Sequence, residues 1–292
     1  MIEIMPILKV SSIVLPVFSI IGIGFVFARF KKISLESVIE ILLYLTIPFL
    51  VISSLTKKTS AIGELTTVSL AACGVVLGTG IMSFLYLRII NRKELRGFYL
   101  PIMFMNSGNM AFPLALLAFG EEGLAIAIIY YVAISILVYL LGIYIAKGQG
   151  GFSEIFKLPL IYASITGITL NLTDTVLPTP VLSTVEILGN ATIPLMLVSL
   201  GYRLHSIHLT SLGISIAGAL IRIGGGALIA YWLTVIFDTD GLNQKIIILS
   251  SSMPSAVINF IVSYKYELVT SIISISTVLS LITTPIILAM MI

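Results

Sequence analysis

Long apolar stretches separated by short polar segments run along the chain from Ile13 to Ile292. A helix that spans a membrane needs about 20 mainly apolar residues, and charge-poor stretches of that length recur throughout. We therefore expect an all-α integral membrane protein of ten transmembrane helices. The ten predicted spans cover residues 12–29, 34–55, 66–90, 97–119, 124–146, 157–173, 183–202, 209–237, 243–264 and 268–291.

The composition supports a multi-pass protein of the cell membrane. Of the 292 residues, 58% are hydrophobic and 10% are charged, whereas soluble domains have roughly 45–50% apolar and about 25% charged residues. The net charge of +3 arises from basic residues in short loops rather than from an extended patch, so no nucleic-acid partner is expected. A single cysteine and two histidines are too few for a disulfide framework or a zinc cluster, so we expect no metal or cofactor.

The basic residues of the predicted loops divide unevenly between the two sides of the membrane. Four lie on the side of the termini: Lys9, Lys57, Lys58 and Lys245. Eleven follow the odd-numbered spans: Arg29, Lys31, Lys32, Arg88, Arg92, Lys93, Arg96, Lys147, Lys157, Arg203 and Lys265. Because basic loops stay in the cytoplasm, this bias predicts that both termini are non-cytoplasmic.

A repeated pattern divides the chain into equal halves. Glu-Ile-Leu at 40–42 and Thr-Ile-Pro at 46–48 recur at 186–188 and 192–194, with a constant shift of 146 residues. We therefore predict a first repeat in residues 1–146 and a second in residues 147–292. Five spans per repeat is an odd number, so the halves would cross the membrane in opposite directions, an inverted-repeat architecture common among secondary transporters.

Spans 4 and 9 carry polar and helix-breaking residues at equivalent places in the two halves. Irregular backbone at this depth is tolerated only where protein buries it or where it lines a cavity. We predict two interrupted helices that cross, with breaks around residues 106–113 and 254–259 and a substrate site where they meet. The alternative is a pair of proline-kinked helices whose amides hold neighbouring helices together. The candidate binding residues are Asn106, Ser107, Asn109, Pro113, Pro254, Ser255 and Asn259.

Arg222 lies near the middle of span 8, where an arginine costs about 2.5–3.5 kcal/mol unless it faces protein or water. No acidic residue falls at that depth in the predicted spans, which leaves carbonyl groups, the asparagine cluster or an anionic substrate as its partner. We include Arg222 among the candidate substrate-binding residues, with structural pairing as the alternative. Glu40 and Glu186 occupy equivalent repeat positions, where they are proton-coupling groups or first-turn carboxylates favoured by the helix dipole.

The sequence resembles the auxin efflux carrier family, which includes plant auxin exporters and bacterial malonate or malate carriers. The resemblance rests on Asn106 with Pro113, on Pro254 with Asn259, and on the Ile-Pro pairs at 47–48 and 193–194. It departs at Asn259, where plant members carry a second proline. It also departs between spans 5 and 6, where the long hydrophilic loop of plant members is absent.

This resemblance implies a fold like that of the bile-acid symporters. Helices 1, 2, 6 and 7 would form a scaffold, helices 3–5 and 8–10 a transport domain, and the crossing of helices 4 and 9 the binding site. The substrate class implied is a small organic acid, such as a carboxylate like auxin or malonate.

The predicted function is therefore a secondary transporter of a small organic anion, working by alternating access. The alternatives are a sodium-coupled organic anion symporter of the bile-acid type and an anion channel with the same crossing as its filter. An intramembrane enzyme is not expected, because Asp174, Asp238 and Asp240 fall in predicted loops. The sequence leaves open the coupling ion, sodium or proton, and whether the protein forms a homodimer.

Overall fold

A computed structural model describes residues 4–57, 62–148, 152–205, 209–256 and 267–292. Over these ranges the chain is helical, and the β-structure among them is one isolated bridge. The first half contains these helices: α1 Ile4–Phe30, α2 Leu35–Ile41, α3 Ile47–Lys57, α4 Ile62–Ile89, α5 Tyr99–Met103, α6 Ala111–Leu137 and α7 Ile143–Lys147. The second half contains α8 Phe152–Ile155, α9 Pro159–Leu172, α10 Thr179–Asn190, α11 Thr192–Leu204, α12 Leu212–Leu220, α13 Gly226–Ile236, α14 Gly241–Ser251 and α15 Glu267–Ala289.

Seven helical segments of the described ranges are long and apolar enough to cross a membrane. They show a multi-pass helical membrane protein, while the count of ten spans and the inverted repeat stay predictions. Three features reduce the number of segments that are long enough to span. A segment without helix divides span 4, and α9 has only 14 residues. The third feature is that spans 4 and 5 are joined in one helical segment, Ala111–Ala146.

Gly120 marks the turn between spans 4 and 5. Its φ of 72° and ψ of −166° interrupt α6, and an L residue with a side chain adopts this combination only under strain. No atom lies within 4 Å of a Cβ built at this position, so the requirement for glycine comes from the backbone. The predicted end of span 4 at residue 119 agrees with this turn.

The two Ile-Pro pairs lie beside local departures from regular α-helix. A π-helical turn, Leu42–Thr46, precedes Pro48 between α2 and α3. In the second half α10 ends at Asn190 and α11 begins at Thr192, with Pro194 in its first turn. Proline lacks an N–H group and leaves a carbonyl one turn earlier without its helical partner, which accounts for both departures.

The helices pack in two groups. In the first group α1 packs on α11, and α3 packs on α9 and α10. In the second group α4 contacts α6 and α13, α14 contacts α6 and α13, and α12 packs on α15. The division of the spans into a scaffold and a transport domain stays a prediction, and this packing is the structural observation that bears on it.

Glycines bring α1 and α11 into close contact. A Cβ on Gly24 would collide with the Val198 carbonyl, and a Cβ on Gly201 would collide with the Ile21 carbonyl. Small residues allow helix backbones to approach closely in a membrane, where dispersion contacts replace the hydrophobic effect as the driving force. These two glycines therefore fix the distance between spans 1 and 7.

Candidate functional site

Both interrupted segments lose their helical hydrogen bonds and pair with each other. Between α5 and α6, residues 104–110 are not helical, and after α14 residues 252–256 are not helical. The Asn106 N–H donates to the Pro254 carbonyl at 2.7 Å, and the Ala256 N–H donates to the Phe104 carbonyl at 3.0 Å. The two segments thus form an antiparallel bridge, Met105 to Ser255, which we call the crossing.

The local sequence explains why each helix stops. In span 4 the Asn106 Oδ1 accepts a hydrogen bond from the Asn109 N–H at 3.2 Å, so its side chain competes with the helical backbone. In span 9 Pro254 has no N–H to donate to the Ser250 carbonyl. The crossing then supplies hydrogen bonds for the backbone groups that both interruptions release, as lipid surroundings require.

Pro113 lies outside the unwound segment, and its predicted place within the break is wrong. It is the third residue of α6, which begins at Ala111. The first N–H groups of a helix have no partner within the helix, so a proline there costs no hydrogen bond. Pro113 therefore starts the second half-helix of span 4 and does not line the cavity beside the crossing.

A cavity of about 120 Å³ lies beside the crossing, between the two groups of helices. Its walls come from the α2–α3 region, the segment at 105–109, the end of α6, the start of α9 and one face of α11. Most of the walls are apolar. The polar and aromatic residues that line it are Asn106, Ser107, Asn109, Tyr131, Ser135, Tyr139, Ser199 and Arg203.

Two buried polar groups at the cavity have no hydrogen-bond partner among the residues that the structure describes. The Asn106 Nδ2 and the Ser107 Oγ make no hydrogen bond, although their residues are 4% and 1% exposed. Buried polar groups are nearly always hydrogen-bonded, and an unpaired one costs about 1–3 kcal/mol. Because Asn106 uses its oxygen to hold the turn, its amide N–H₂ remains as a donor at the cavity.

Arg203 is a cavity residue that the sequence interpretation assigned only to a basic loop. It lies in the last turn of α11 and lines the cavity together with Ser199, one turn earlier, about 6 Å along the axis. Of the described residues that line the cavity, it alone is charged. The four-residue spacing of Ser199 and Arg203 places both residues on one helix face, but only the position of the cavity shows that this face lines it.

Pro254 and Ser255 belong to the crossing rather than to the cavity wall. The Ser255 hydroxyl donates to the Pro101 carbonyl, and its N–H donates to the Ser276 hydroxyl at 3.1 Å. Ala256, the next residue, lines the cavity. Asn259, the remaining candidate in span 9, lies outside the described residues.

Arg222 is fully buried, and its guanidinium hydrogen bonds go to backbone carbonyls. Nη1 donates to Ile102 and Met103, and Nη2 donates to Ser251 at 2.7 Å. Arg222 does not line the cavity, in contrast to Asn106, Ser107 and Asn109. This geometry favours the structural pairing that the sequence left as the alternative.

Of the two repeat-related carboxylates, Glu186 pairs with Lys57 at 2.9 Å, which ties α10 to the end of α3. Both side chains are partly exposed. Asp174 and Asp238 lie just after α9 and α13 in the left-handed region of φ, and Asp240 precedes α14. These aspartates therefore lie between helices, where the sequence predicted loops.

The sequence is similar to a known protein family and to two known proteins. Residues 152–288 match a family model described as membrane transport protein. An uncharacterized transporter of Methanocaldococcus jannaschii is 27% identical over 276 residues, covering 88% of this chain and 89% of the relative. An uncharacterized transporter of Methanothermobacter thermautotrophicus is 29% identical over 265 residues, covering 84% and 85%. Both relatives are described as transporters.

Proposed function

Because this chain belongs to the membrane transport protein family, the auxin efflux carriers that its sequence resembles, we propose that it is a secondary transporter of a small organic anion. The observation that carries this proposal is the cavity beside the crossing. It offers two buried donors, the Asn106 amide and the Ser107 hydroxyl, that have no partner among the described residues, together with the positive charge of Arg203. An anion that accepts these hydrogen bonds relieves the cost of the unpaired groups.

The polarity of the cavity also defines the shape of its ligand. The donors and Arg203 can hold a carboxylate, and the N-terminus of α6, which follows the cavity-lining segment, adds about half a positive charge. The remaining wall is mostly apolar, with Ile39, Ile134 and Leu200 among its residues. A carboxylate with an apolar body satisfies both surfaces, whereas a second carboxylate would meet the apolar wall.

The position of the cavity supports alternating access. Its lining runs from the crossing to Leu35, Leu158 and Arg203, which lie at helix ends near the loops after spans 1, 5 and 7. These are the basic loops, which the positive-inside bias assigns to the cytoplasm. We propose that movement of α4–α7 and α12–α15 against the other helices closes this side and exposes the crossing to the opposite side.

A flux assay in proteoliposomes tests this function. We expect uptake of radiolabelled monocarboxylates to saturate and to show counterflow, because a carrier binds its substrate in each cycle. Current that does not saturate, without counterflow, would favour the anion channel. The absence of carboxylate flux from well-folded protein would refute the proposal.

Substitution of Arg203 tests the site itself. We expect Arg203→Gln to raise the KM for the carboxylate by roughly tenfold or more, since a charge-assisted hydrogen bond contributes about 1.5–3 kcal/mol. Arg203→Lys should retain part of the affinity because it keeps the charge. The matched control is Arg92→Gln, which removes an exposed arginine paired with Glu94 outside the cavity. Equal KM values for Arg203→Gln and the wild type would exclude Arg203 from the site.

A further inference from the structure

Three backbone carbonyls converge where the first half-helices of spans 4 and 9 end. In continuous helices the carbonyls of Ile102, Met103 and Ser251 would accept from the N–H groups four residues later. Those N–H groups donate elsewhere: Asn106 to Pro254, Ser107 to Met105, and Ser255 to the Ser276 hydroxyl. The crossing therefore leaves three carbonyls at mid-membrane without helical partners, and we call them the carbonyl cage.

The carbonyl cage has the chemistry of a cation site. Carbonyls at the C-terminal end of a helix carry the negative end of its dipole, and here two such ends meet. Unwound carbonyls and half-helix C-terminal ends coordinate the coupling cation in many secondary transporters. A positive charge at this point therefore satisfies both the hydrogen-bonding groups and the field of the two helices.

Arg222 supplies that positive charge from within the chain. Its guanidinium reaches all three oxygens of the carbonyl cage, two through Nη1 and one through Nη2. The side chain is fully buried, and among the described residues these hydrogen bonds go to carbonyls rather than to a carboxylate. The guanidinium thus joins span 8 to both interrupted helices.

The helix around Arg222 leaves room for the guanidinium. A π-helical turn, Ile221–Gly225, carries Arg222, and α13 begins directly after it. A Cβ on Gly226 would collide with both the Arg222 guanidinium and the Ser251 carbonyl. At Gly224, two residues earlier, a Cβ would meet no atom within 4 Å. Gly226 therefore faces the carbonyl cage too closely for a larger residue, whereas Gly224 does not.

We propose that Arg222 is a tethered cation that takes the place of a bound alkali ion at the crossing. It is a positioning residue: it holds the ends of both half-helices, and through them the cavity-lining segment at 105–109. Because the charge is covalently attached, the crossing keeps its geometry without sodium. The flux part of the test rests on the proposed transport function, whereas the stability part does not.

The first test measures thermal unfolding in detergent. Arg222→Ala should unfold at a lower temperature than the wild type, and millimolar guanidinium ion should restore part of the difference by binding in the vacated carbonyl cage. Urea, a neutral molecule of the same shape, is the control and should restore nothing. Equal effects of guanidinium and urea, or an unchanged unfolding temperature in Arg222→Ala, would overturn the proposal.

A second pair of variants keeps the test decisive if Arg222→Ala does not fold. Gly226→Ala should displace the guanidinium from the Ser251 carbonyl and lower the unfolding temperature, while its control Gly224→Ala should leave that temperature unchanged. An equal response of the two variants would contradict the proposal.

The third test is flux with sodium replaced by potassium or by N-methylglucamine. Wild-type carboxylate flux should be unchanged, and Arg222→Ala should lose roughly tenfold or more, in proportion to its lost charge-assisted hydrogen bonds. Guanidinium, but not urea, should return part of that flux. Wild-type flux that requires sodium would overturn the tethered cation. Absence of flux under every condition would count against the transport function instead, and the unfolding measurements would still decide the role of Arg222.

Discussion

Asn106 combines two roles in one side chain. Its oxygen accepts from the Asn109 N–H and stops the first half-helix, while its amide nitrogen lies buried at the cavity and has no partner in the described part of the chain. The residue that breaks the helix is thus also the residue that presents a donor to the substrate. Since the crossing fixes its backbone through Pro254, the direction of that donor is set before a ligand binds.

Asn106→Asp separates these two roles. The carboxylate keeps the acceptor for Asn109 but replaces the donor with a negative charge, so an organic anion should be repelled. We expect carboxylate flux to decrease by roughly tenfold or more, from the loss of a donor worth about 0.5–1.5 kcal/mol plus the added repulsion. The control is Asn190→Asp at the exposed end of α10. Flux at the wild-type level in Asn106→Asp would show that Asn106 does not contact the anion.

We expect Ser107→Ala to make the protein more stable and to weaken its binding of substrate. Its hydroxyl is buried and finds no partner among the described residues, so Ser107→Ala removes a group that costs about 1–3 kcal/mol in the empty carrier. We expect a higher unfolding temperature in the absence of substrate together with a severalfold higher KM. Ser83→Ala is the comparison, because that buried hydroxyl already donates to the Thr79 carbonyl at 2.8 Å. A lower unfolding temperature for Ser107→Ala would mean that its hydroxyl has a structural partner.

At the scale of helices, regular α-helix is interrupted at defined places in several spans. The π-helical turn before Pro48 and the break at Ala191 lie in spans that line the cavity, and the π-helical turn at Arg222 lies in a span that contacts the carbonyl cage. Local departures from α-helix allow a span to bend at a defined place. We therefore expect these positions to take up the bending when the two groups of helices move.

The contact between α1 and α11 gives a prediction with a control on the same helix. Gly24→Ala should lower the unfolding temperature, because its Cβ meets the Val198 backbone and overpacking costs about 1–3 kcal/mol. Gly22→Ala, whose Cβ meets nothing within 4 Å, should be neutral. Detergent-solubilised protein and a thermal unfolding assay suffice. The proposed close packing of spans 1 and 7 would fail if both variants behaved alike.

At the scale of the whole molecule, the cavity lies between two groups of helices and extends to the basic loops. This placement makes an access experiment possible. In a background with Cys73→Ser, a single cysteine at Ser199 should react with a membrane-impermeant thiol reagent from the side of the basic loops. Ser83→Cys is the control, because Ser83 is buried within α4 and is not a cavity residue.

Substrate provides the contrast in this labelling experiment. Saturating carboxylate should slow the modification of Ser199→Cys, since the ligand occupies the same cavity. Labelling in inside-out vesicles but not in right-side-out vesicles would place the basic loops in the cytoplasm and both termini outside. The reverse pattern would contradict the orientation that the positive-inside bias predicts.

The sequence determined the features that depend on local chemistry. Hydrophobic stretches with few charges require lipid, so a multi-pass helical membrane protein followed from the pattern alone. Asn106 and Pro254 interrupt their helices through their own side chains, and both interruptions were predicted close to where they lie. Pro113 was placed wrongly, because a proline both breaks a helix and starts one, and only the preceding turn distinguishes the two.

Only the tertiary structure decided which polar residues face the cavity and which hold the crossing. Arg222 and Arg203 are both arginines in or near a span, and the sequence alone indicates a candidate binding role for Arg222 and a place in a loop for Arg203. In the fold, three carbonyls released by two distant segments converge on Arg222, while Arg203 lines the cavity. The partners of a charged group inside a membrane come from other helices, so its role is set by packing and not by its neighbours in the chain.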